Sequence, residues 1–153
     1  MGPVPRDLST LPKAHLHLHF TGSMRPQTLN DLAEQIGIRL PQSLQEHTAG
    51  LDPLRLPANE RGWFRFQRLY DSARAVVRSE EAMRRIVAEA AEADAAEGSG
   101  RLELQVDPTS YAPFVGGLTP ALEIVLDEAR RSAASTGVDI GIIVAASRTR
   151  HPL

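Results

Sequence analysis

The residues Lys13-Ala14-His15-Leu16-His17-Leu18-His19-Phe20 alternate strictly between polar and apolar side chains. Alternation with a period of two predicts a β-strand. On an ideal strand the four apolar side chains share one face and the imidazoles of His15, His17 and His19 share the other. Neutral imidazole is the commonest protein ligand for metals, and two imidazoles on one strand face can reach a single zinc ion. The residues alone leave two interpretations open, a metal half-site and an incidental pattern.

After this strand, apolar residues recur at helical spacing in four segments. They predict helices over residues 26–37, 63–77, 80–97 and 120–137, with Ser79 as the N-cap of the third and Gly137 as the end of the fourth. Two further strands are predicted over residues 101–108 and 138–146. Residues 1–10 are expected to form a flexible leader, and the proline-containing residues 38–60 a long loop or lid.

The predicted order of strands and helices favours parallel strands joined by helical crossovers. Strands one and two each carry a polar face, which is typical of the interior mouth of a barrel rather than of an open sheet covered by helices on both sides. We therefore predict an α/β fold, the N-terminal part of a TIM-type (β/α)8 barrel with about three β/α units. Residues 1–153 are expected to form one incomplete metallo-hydrolase domain.

The composition excludes several classes of function. The 153 residues have a formal net charge of -2, and no basic cluster suggests a nucleic-acid partner. No apolar run is long enough to cross a membrane, so no membrane partner is expected. Cysteine is absent, which excludes disulfides and thiolate chemistry, and the expected location is the cytoplasm. The oligomeric state cannot be read from the sequence.

The stretch LPKAHLHLHFTGS over residues 11–23 resembles the opening of the adenosine deaminase family. That family begins its first barrel strand with a pattern close to L-P-K-x-E-L-H-x-H-L-[DE]-G. Three later stretches also resemble the family: FQRLY at residues 66–70, LELQVDP at residues 102–108 and IVAASR at residues 143–148. The resemblance covers nearly the whole chain.

The resemblance implies that His17 and His19 are ligands of one zinc ion per complete subunit. His15 stands where the family usually has glutamate, so it is not expected to be a ligand. Thr21 stands where the family has an acidic residue near the substrate sugar. The substrate is expected to contact His19, Thr21, a tight turn at Gly22, and an aromatic wall formed by Phe66 and Tyr70.

The resemblance further implies hydrolytic deamination of adenosine or a related 6-aminopurine nucleoside, which gives the 6-oxo product and ammonia. The catalytic acid–base residues are expected downstream of residue 153, so the chain by itself is expected to be inactive. Two alternatives remain open at this point. One is a related amidohydrolase that acts on adenine or aminodeoxyfutalosine, and the other is a non-catalytic metal-binding or interaction module.

Overall fold

A parallel sheet organises the part of the chain that the computed structural model describes, which comprises residues 7–48 and 56–146. Its strands are β1 (Lys13–His19), β2 (Ser99–Val106) and β3 (Asp139–Val144), in the order β1-β2-β3. Both pairs of neighbouring strands are parallel. Each connection must therefore return the chain to the same end of the sheet, as the predicted helical crossovers do.

Helices fill both crossovers. Between β1 and β2 lie α1 (Pro26–Gln35), α2 (Gln42–Thr48), α3 (Glu60–Arg74) and α4 (Glu80–Ala96). Between β2 and β3 lie α5 (Ala112–Val115) and α6 (Leu118–Thr136). Helices α4 and α6 contact each other and the sheet, and they cover one of its faces. Leu102, Leu104 and Val106 of β2 point into this layer and are at most 1% exposed.

Local signals in the sequence set the ends of α4 and α6. The side chain of Ser79 accepts a hydrogen bond from the backbone N–H of Ala82, and Glu80 and Glu81 occupy the first turn of α4. An N-cap serine followed by acidic residues satisfies free N–H groups and complements the helix dipole. Gly137 ends α6 with a φ of 77°, a left-handed conformation that glycine adopts without a steric penalty. The predicted cap at Ser79 and the predicted stop at Gly137 are thus confirmed.

The loop predicted over residues 38–60 is wrong for part of its length, because residues 42–48 form the helix α2. Leu40 and Leu44 are each 5% exposed, and α2 contacts α1. A seven-residue helix has little stability of its own, so the burial of these two leucines against α1 holds it in place. Residues 49–55 lie outside the described part of the chain, and Glu60 already begins α3.

The leader predicted over residues 1–10 is partly ordered. Leu8–Thr10 form a short 3₁₀ turn, and the Thr10 hydroxyl donates to the carbonyl of Asp7 at 2.9 Å. Residues 1–6 lie outside the described part of the chain.

The second face of the sheet carries charged side chains. The Arg101 guanidinium pairs with Asp139 and with Glu103, so it bridges β2 and β3 across this face. Gly141 lies beneath it, and a Cβ at that position would stand 3.1 Å from an Arg101 nitrogen. Within residues 7–48 and 56–146, no helix is long and apolar enough to span a bilayer.

Candidate functional site

A β-bulge interrupts the histidine strand. His15 pairs with Leu102 and Leu18 pairs with Leu104, so three steps along β1 match two steps along β2. His17 absorbs the extra residue with a φ of 62°, in the left-handed region that non-glycine residues seldom adopt. The prediction that all three histidines share one face is therefore wrong, because a bulge reverses the alternation from that point on.

His17 and His19 come together on the face of the sheet that α4 and α6 leave uncovered. His19 pairs in register with Gln105, on the opposite face from Leu104. The ring centroids of His17 and His19 are 5.1 Å apart. Neither imidazole hydrogen-bonds to any residue of the described segments, so their nitrogens remain available as ligands.

His15 lies on the other face, beside α4, and its side chain is 45% exposed. Its Nδ1 stands 2.9 Å from Oδ1 of Asp94 on α4, and Asp94 is 5% exposed. His15 is thus separated by the sheet from His17 and His19, and the expectation that it is not a metal ligand stays a prediction.

A cleft of 470 Å³ opens at the carboxyl ends of the strands. Its lining residues come from the end of β1, the ends of β2 and β3, and α3: His19, Phe20, Thr21, Gln67, Tyr70, Asp71, Arg74, Gln105, Asp107, Tyr111, Ala145 and Ala146. In (β/α)8 barrels the active site lies at this end of the strands. The cleft therefore occupies the position where a barrel of this type places its chemistry.

The floor of the cleft contains a buried pair of hydroxyl groups. Thr21 Oγ1 and Tyr111 Oη are 2.6 Å apart, and both residues are less than 5% exposed. Burial raises the pKa of Tyr111 to about 12, although the hydrogen bond to Thr21 acts in the opposite direction. The pair is therefore uncharged at neutral pH, and the Thr21 hydroxyl already has a partner within the protein.

One wall of the cleft is the inner face of α3. Tyr70 lies edge-on to His19, with ring centroids 6.4 Å apart, and the Arg74 guanidinium lies 5.0 Å from the Tyr70 ring. Arg74 also donates to Asp71 at 3.0 Å. Phe66 does not line the cleft: it contacts Tyr70 at 5.8 Å and borders a separate groove together with Trp63.

Gly22 supports this wall without a special backbone conformation. It lies in a 3₁₀ turn over Thr21–Ser23, and its φ is not positive. A Cβ at Gly22 would stand 3.6 Å from the Cβ of His19 and 3.7 Å from the Tyr70 ring. The glycine expected for a tight turn is thus found where the turn packs between the histidine strand and α3.

Sequence reasoning did not assign several lining residues to a site. Gln67, Asp71 and Arg74 recur at helical spacing with Tyr70, so the periodicity of α3 could have placed them on one face. Tyr111 follows β2 in a turn, and no sequence signal links it to Thr21. Gln105 lies on the polar face of β2, and its Oε1 is buried beside the cleft without a hydrogen-bond partner among the described residues.

The donor set agrees with the first half of a zinc site. His17 and His19 offer two adjacent imidazoles, which zinc accepts, whereas a catalytic zinc site usually has three protein ligands. Within the described ranges, no group of three or more His, Cys, Asp or Glu side chains is placed to hold a metal. These residues therefore fit zinc as a partial ligand set.

A family model described as adenosine deaminase matches residues 12–153, almost the whole chain. The chain belongs to the adenosine deaminase family. The resemblance noted in the sequence is thereby confirmed, and the bulged histidine strand of this chain is the family's first barrel strand.

Among relatives of this deaminase-family chain, a Streptomyces virginiae protein provisionally named adenosine/adenine deaminase is 57% identical over 148 residues. The match covers 97% of this chain and 43% of that protein. The chain thus spans less than half the length of this relative.

Solved structures agree on the fold. The adenine deaminase of Arthrobacter aurescens matches with a TM-score of 0.68 and 27% identity, over 87% of this chain and 39% of that one. An amidohydrolase from Burkholderia ambifaria with bound zinc matches with a TM-score of 0.71 and 22% identity, over 96% of this chain and 40% of that one. The predicted fold class, the N-terminal part of a TIM-type barrel, is confirmed.

Proposed function

We propose that the full-length protein containing this chain catalyses the hydrolytic deamination of a 6-aminopurine, adenosine or adenine. Water adds at C6, the C6–N bond breaks, and the products are the 6-oxo purine and ammonia. The observation that carries the proposal is the pair of imidazoles of His17 and His19 beside the cleft of a chain in this family; their ring centroids are 5.1 Å apart, and neither hydrogen-bonds to a described residue.

His17 and His19 are the residues that would hold the zinc ion. When bound in such a site, zinc supplies Lewis acidity and lowers the pKa of a water molecule toward neutrality. The remaining protein ligand and the acid–base groups are expected outside this chain. The bulge turns both imidazoles to the face of the sheet opposite His15, which is the face that α4 and α6 leave uncovered.

The other cleft residues would bind and orient the purine. Tyr70 offers an aromatic face along α3, on which a flat ring can pack. The buried Oε1 of Gln105 needs a donor, and an N–H group of the substrate would satisfy it. The Thr21–Tyr111 pair adds neutral polar atoms to the floor, without a carboxylate.

Adenine is the second candidate substrate. Thr21 stands where the family has an acidic residue near the sugar. Its hydroxyl oxygen lies 2.6 Å from the Tyr111 hydroxyl oxygen, so it already has a hydrogen-bond partner. A neutral hydroxyl that already has a partner binds a ribose more weakly than a carboxylate does. This favours a substrate that depends less on its sugar, and the adenine deaminase from Arthrobacter aurescens shares the fold.

The test is ammonia release by the full-length protein from adenosine, adenine and aminodeoxyfutalosine, with metal content measured on the same samples. His17→Ala and His19→Ala should each reduce both zinc content and activity. His47→Ala is the matched control, since His47 is not one of the proposed ligands and its replacement should change neither.

Three results would contradict the proposal or part of it. Stoichiometric zinc in the His17→Ala and His19→Ala variants would refute the ligand assignment. Zinc binding without ammonia release from any aminated ring would favour the non-catalytic module. Turnover of aminodeoxyfutalosine alone would refute both substrates proposed here. The cytoplasmic location remains a prediction from the sequence.

A further inference from the structure

The first half of β1 is attached to α4 by two side chains. His15 contacts Asp94 at 2.9 Å, and Lys13 Nζ donates to the carbonyl of Glu97, just after α4, at 2.7 Å. Both attachments lie before the bulge. After the bulge, the backbone N–H of Phe20 donates to the carbonyl of Gln105 at 2.9 Å. The bulge at His17 is therefore held from both sides.

The His15–Asp94 contact is an unusual element in this layer of the fold. The surrounding residues Ala90, Leu102 and Val138 are apolar and at most 4% exposed. The only hydrogen-bond partner of Asp94 in the described part of the chain is His15, and its Oδ2 is buried without one. The His15 side chain is 45% exposed, so the contact buries only Asp94 and packing alone does not account for it.

What a directed polar contact adds to this layer is register. No residue of β1 is buried and only Leu18 is partly buried, so burial of apolar side chains specifies the register of this strand weakly. A slip by one residue would turn the following side chains to the opposite face. A hydrogen bond to one carboxylate oxygen allows a single placement of His15. That placement requires the extra residue of the bulge, since Leu18 must still reach Leu104.

We infer that His15 and Asp94 form a positioning pair, which fixes the register of β1 so that the bulge places His17 and His19 on the opposite, cleft-side face, where both can reach one metal ion. This inference rests on the proposed function, because it takes these two histidines as metal ligands. His15 does not contact the metal in this arrangement. It acts through the backbone of the strand, from the opposite face of the sheet.

The imidazole atom that matters is Nδ1, and this gives a sharp pair of variants. Asparagine places its side-chain nitrogen close to where histidine has Nδ1, so His15→Asn should retain the bond to Asp94. Glutamine places its nitrogen near the position of Nε2, so His15→Gln should lose that bond. Both replacements are neutral amides, and they differ mainly in side-chain length and hence in the position of the amide nitrogen.

The test measures the zinc dissociation constant of the full-length protein by competition with a chelator, together with the visible spectrum of the cobalt-substituted protein. We expect His15→Gln to weaken zinc binding by about 10- to 100-fold, the range found for residues that orient metal ligands, and to alter the cobalt spectrum. His15→Asn should remain close to wild type in both. The double variant His15→Leu with Asp94→Leu should fold but bind zinc as weakly as His15→Gln.

The control removes a different hydrogen bond to α4. Thr28 Oγ1 donates to Glu89 Oε2 at 2.5 Å, and Thr28 is fully buried. Thr28→Val should lower the thermal unfolding midpoint while leaving zinc affinity and the cobalt spectrum unchanged.

The outcomes separate this inference from the proposed function. If the wild type binds no zinc, the ligand assignment fails and the inference fails with it. If the wild type binds zinc and His15→Gln and the double leucine variant bind it equally well, only the positioning role is overturned. Equal weakening by His15→Asn and His15→Gln would also overturn it, because the bond through Nδ1 would then be irrelevant.

Discussion

At the scale of single residues, Tyr111 links the cleft to the pH dependence of stability. Its hydroxyl is buried against Thr21, and burial raises its pKa to about 12 from an ordinary value of 10.0. The folded state therefore retains a proton that the unfolded chain releases between about pH 10 and pH 12. The stabilisation is complete below pH 10 and is lost as the pH rises through this interval.

We expect the wild type to lose about 1 kcal/mol more unfolding free energy than Tyr111→Phe when the pH is raised from about 9 to about 11. Urea unfolding at the two pH values measures the difference. Tyr70→Phe removes the chain's other tyrosine, retains Tyr111 and should follow the wild type. The same pH dependence in the wild type and in Tyr111→Phe would show that Tyr111 titrates normally.

The sequence predicted the histidine strand correctly, but it predicted the wrong faces for the three histidines. The alternation around His17 predicts a regular strand, and those residues contain no sequence signal for a β-bulge. The extra residue is imposed by groups remote in the chain, such as Asp94 and Leu102, whose positions the local pattern cannot contain. Thr21 could be assigned to the cleft by resemblance, but its engagement by Tyr111 could not be foreseen.

At the scale of elements, α3 depends on a glycine in its first turn. A Cβ at Gly62 would stand 1.8 Å from the carbonyl oxygen of Pro57. Asn59 caps the same turn, because its side chain accepts from the N–H of Gly62. The preceding segment and the start of α3 therefore cannot both keep their places once a side chain is added at Gly62.

Gly62→Ala is expected to destabilise the protein by about 2 kcal/mol or more, because a backbone carbonyl has to move. Gly100→Ala is the matched control, since a Cβ at Gly100 would meet only the carbonyl oxygen of Lys13, at 4.0 Å. Urea unfolding of the two variants, with near-ultraviolet circular dichroism of Trp63 on α3, measures the effect. Equal stability of the two variants would rule out the tight contact at Gly62.

The sequence predicted correctly those helix ends that are set by residues at the end itself. Ser79 and Gly137 mark helix ends through their own side-chain or backbone chemistry, and both were found as expected. The start of α6 was expected at Pro120, but the helix begins at Leu118, with Gly117 as its N-cap. The short α2 escaped prediction because it is stabilised by burial against α1 rather than by its own sequence.

At the scale of the whole molecule, one face of the sheet and two of its edges stay uncovered in the described part of the chain. Leu16 on β1 and Val144 on β3 are 60% and 55% exposed. Exposed strand edges and apolar side chains favour association with other chains. In the longer relatives, further parts of the protein are available to cover such a face.

The 153-residue chain produced by itself is therefore expected to self-associate and to bind a hydrophobic dye. Replacing Leu16 and Val144 together by threonine should reduce both effects, as measured by light scattering across a concentration series and by dye fluorescence. Leu8→Thr is the control, because Leu8 is 67% exposed but lies outside the sheet. A chain that stays monomeric at all concentrations would contradict this expectation.

The order of the sheet has a consequence for the time course of folding. Leu102 pairs with Ile140 across a crossover of two helices, whereas His15 pairs with Leu102 across a crossover of four. Contacts between distant parts of a chain carry a larger loop-closure entropy and form later. Pulse-labelling hydrogen exchange should then find the amides of β2 and β3 protected before those of β1. On that account the histidine strand joins last, so the nascent chain would acquire its metal ligands only after the framework that aligns them has formed.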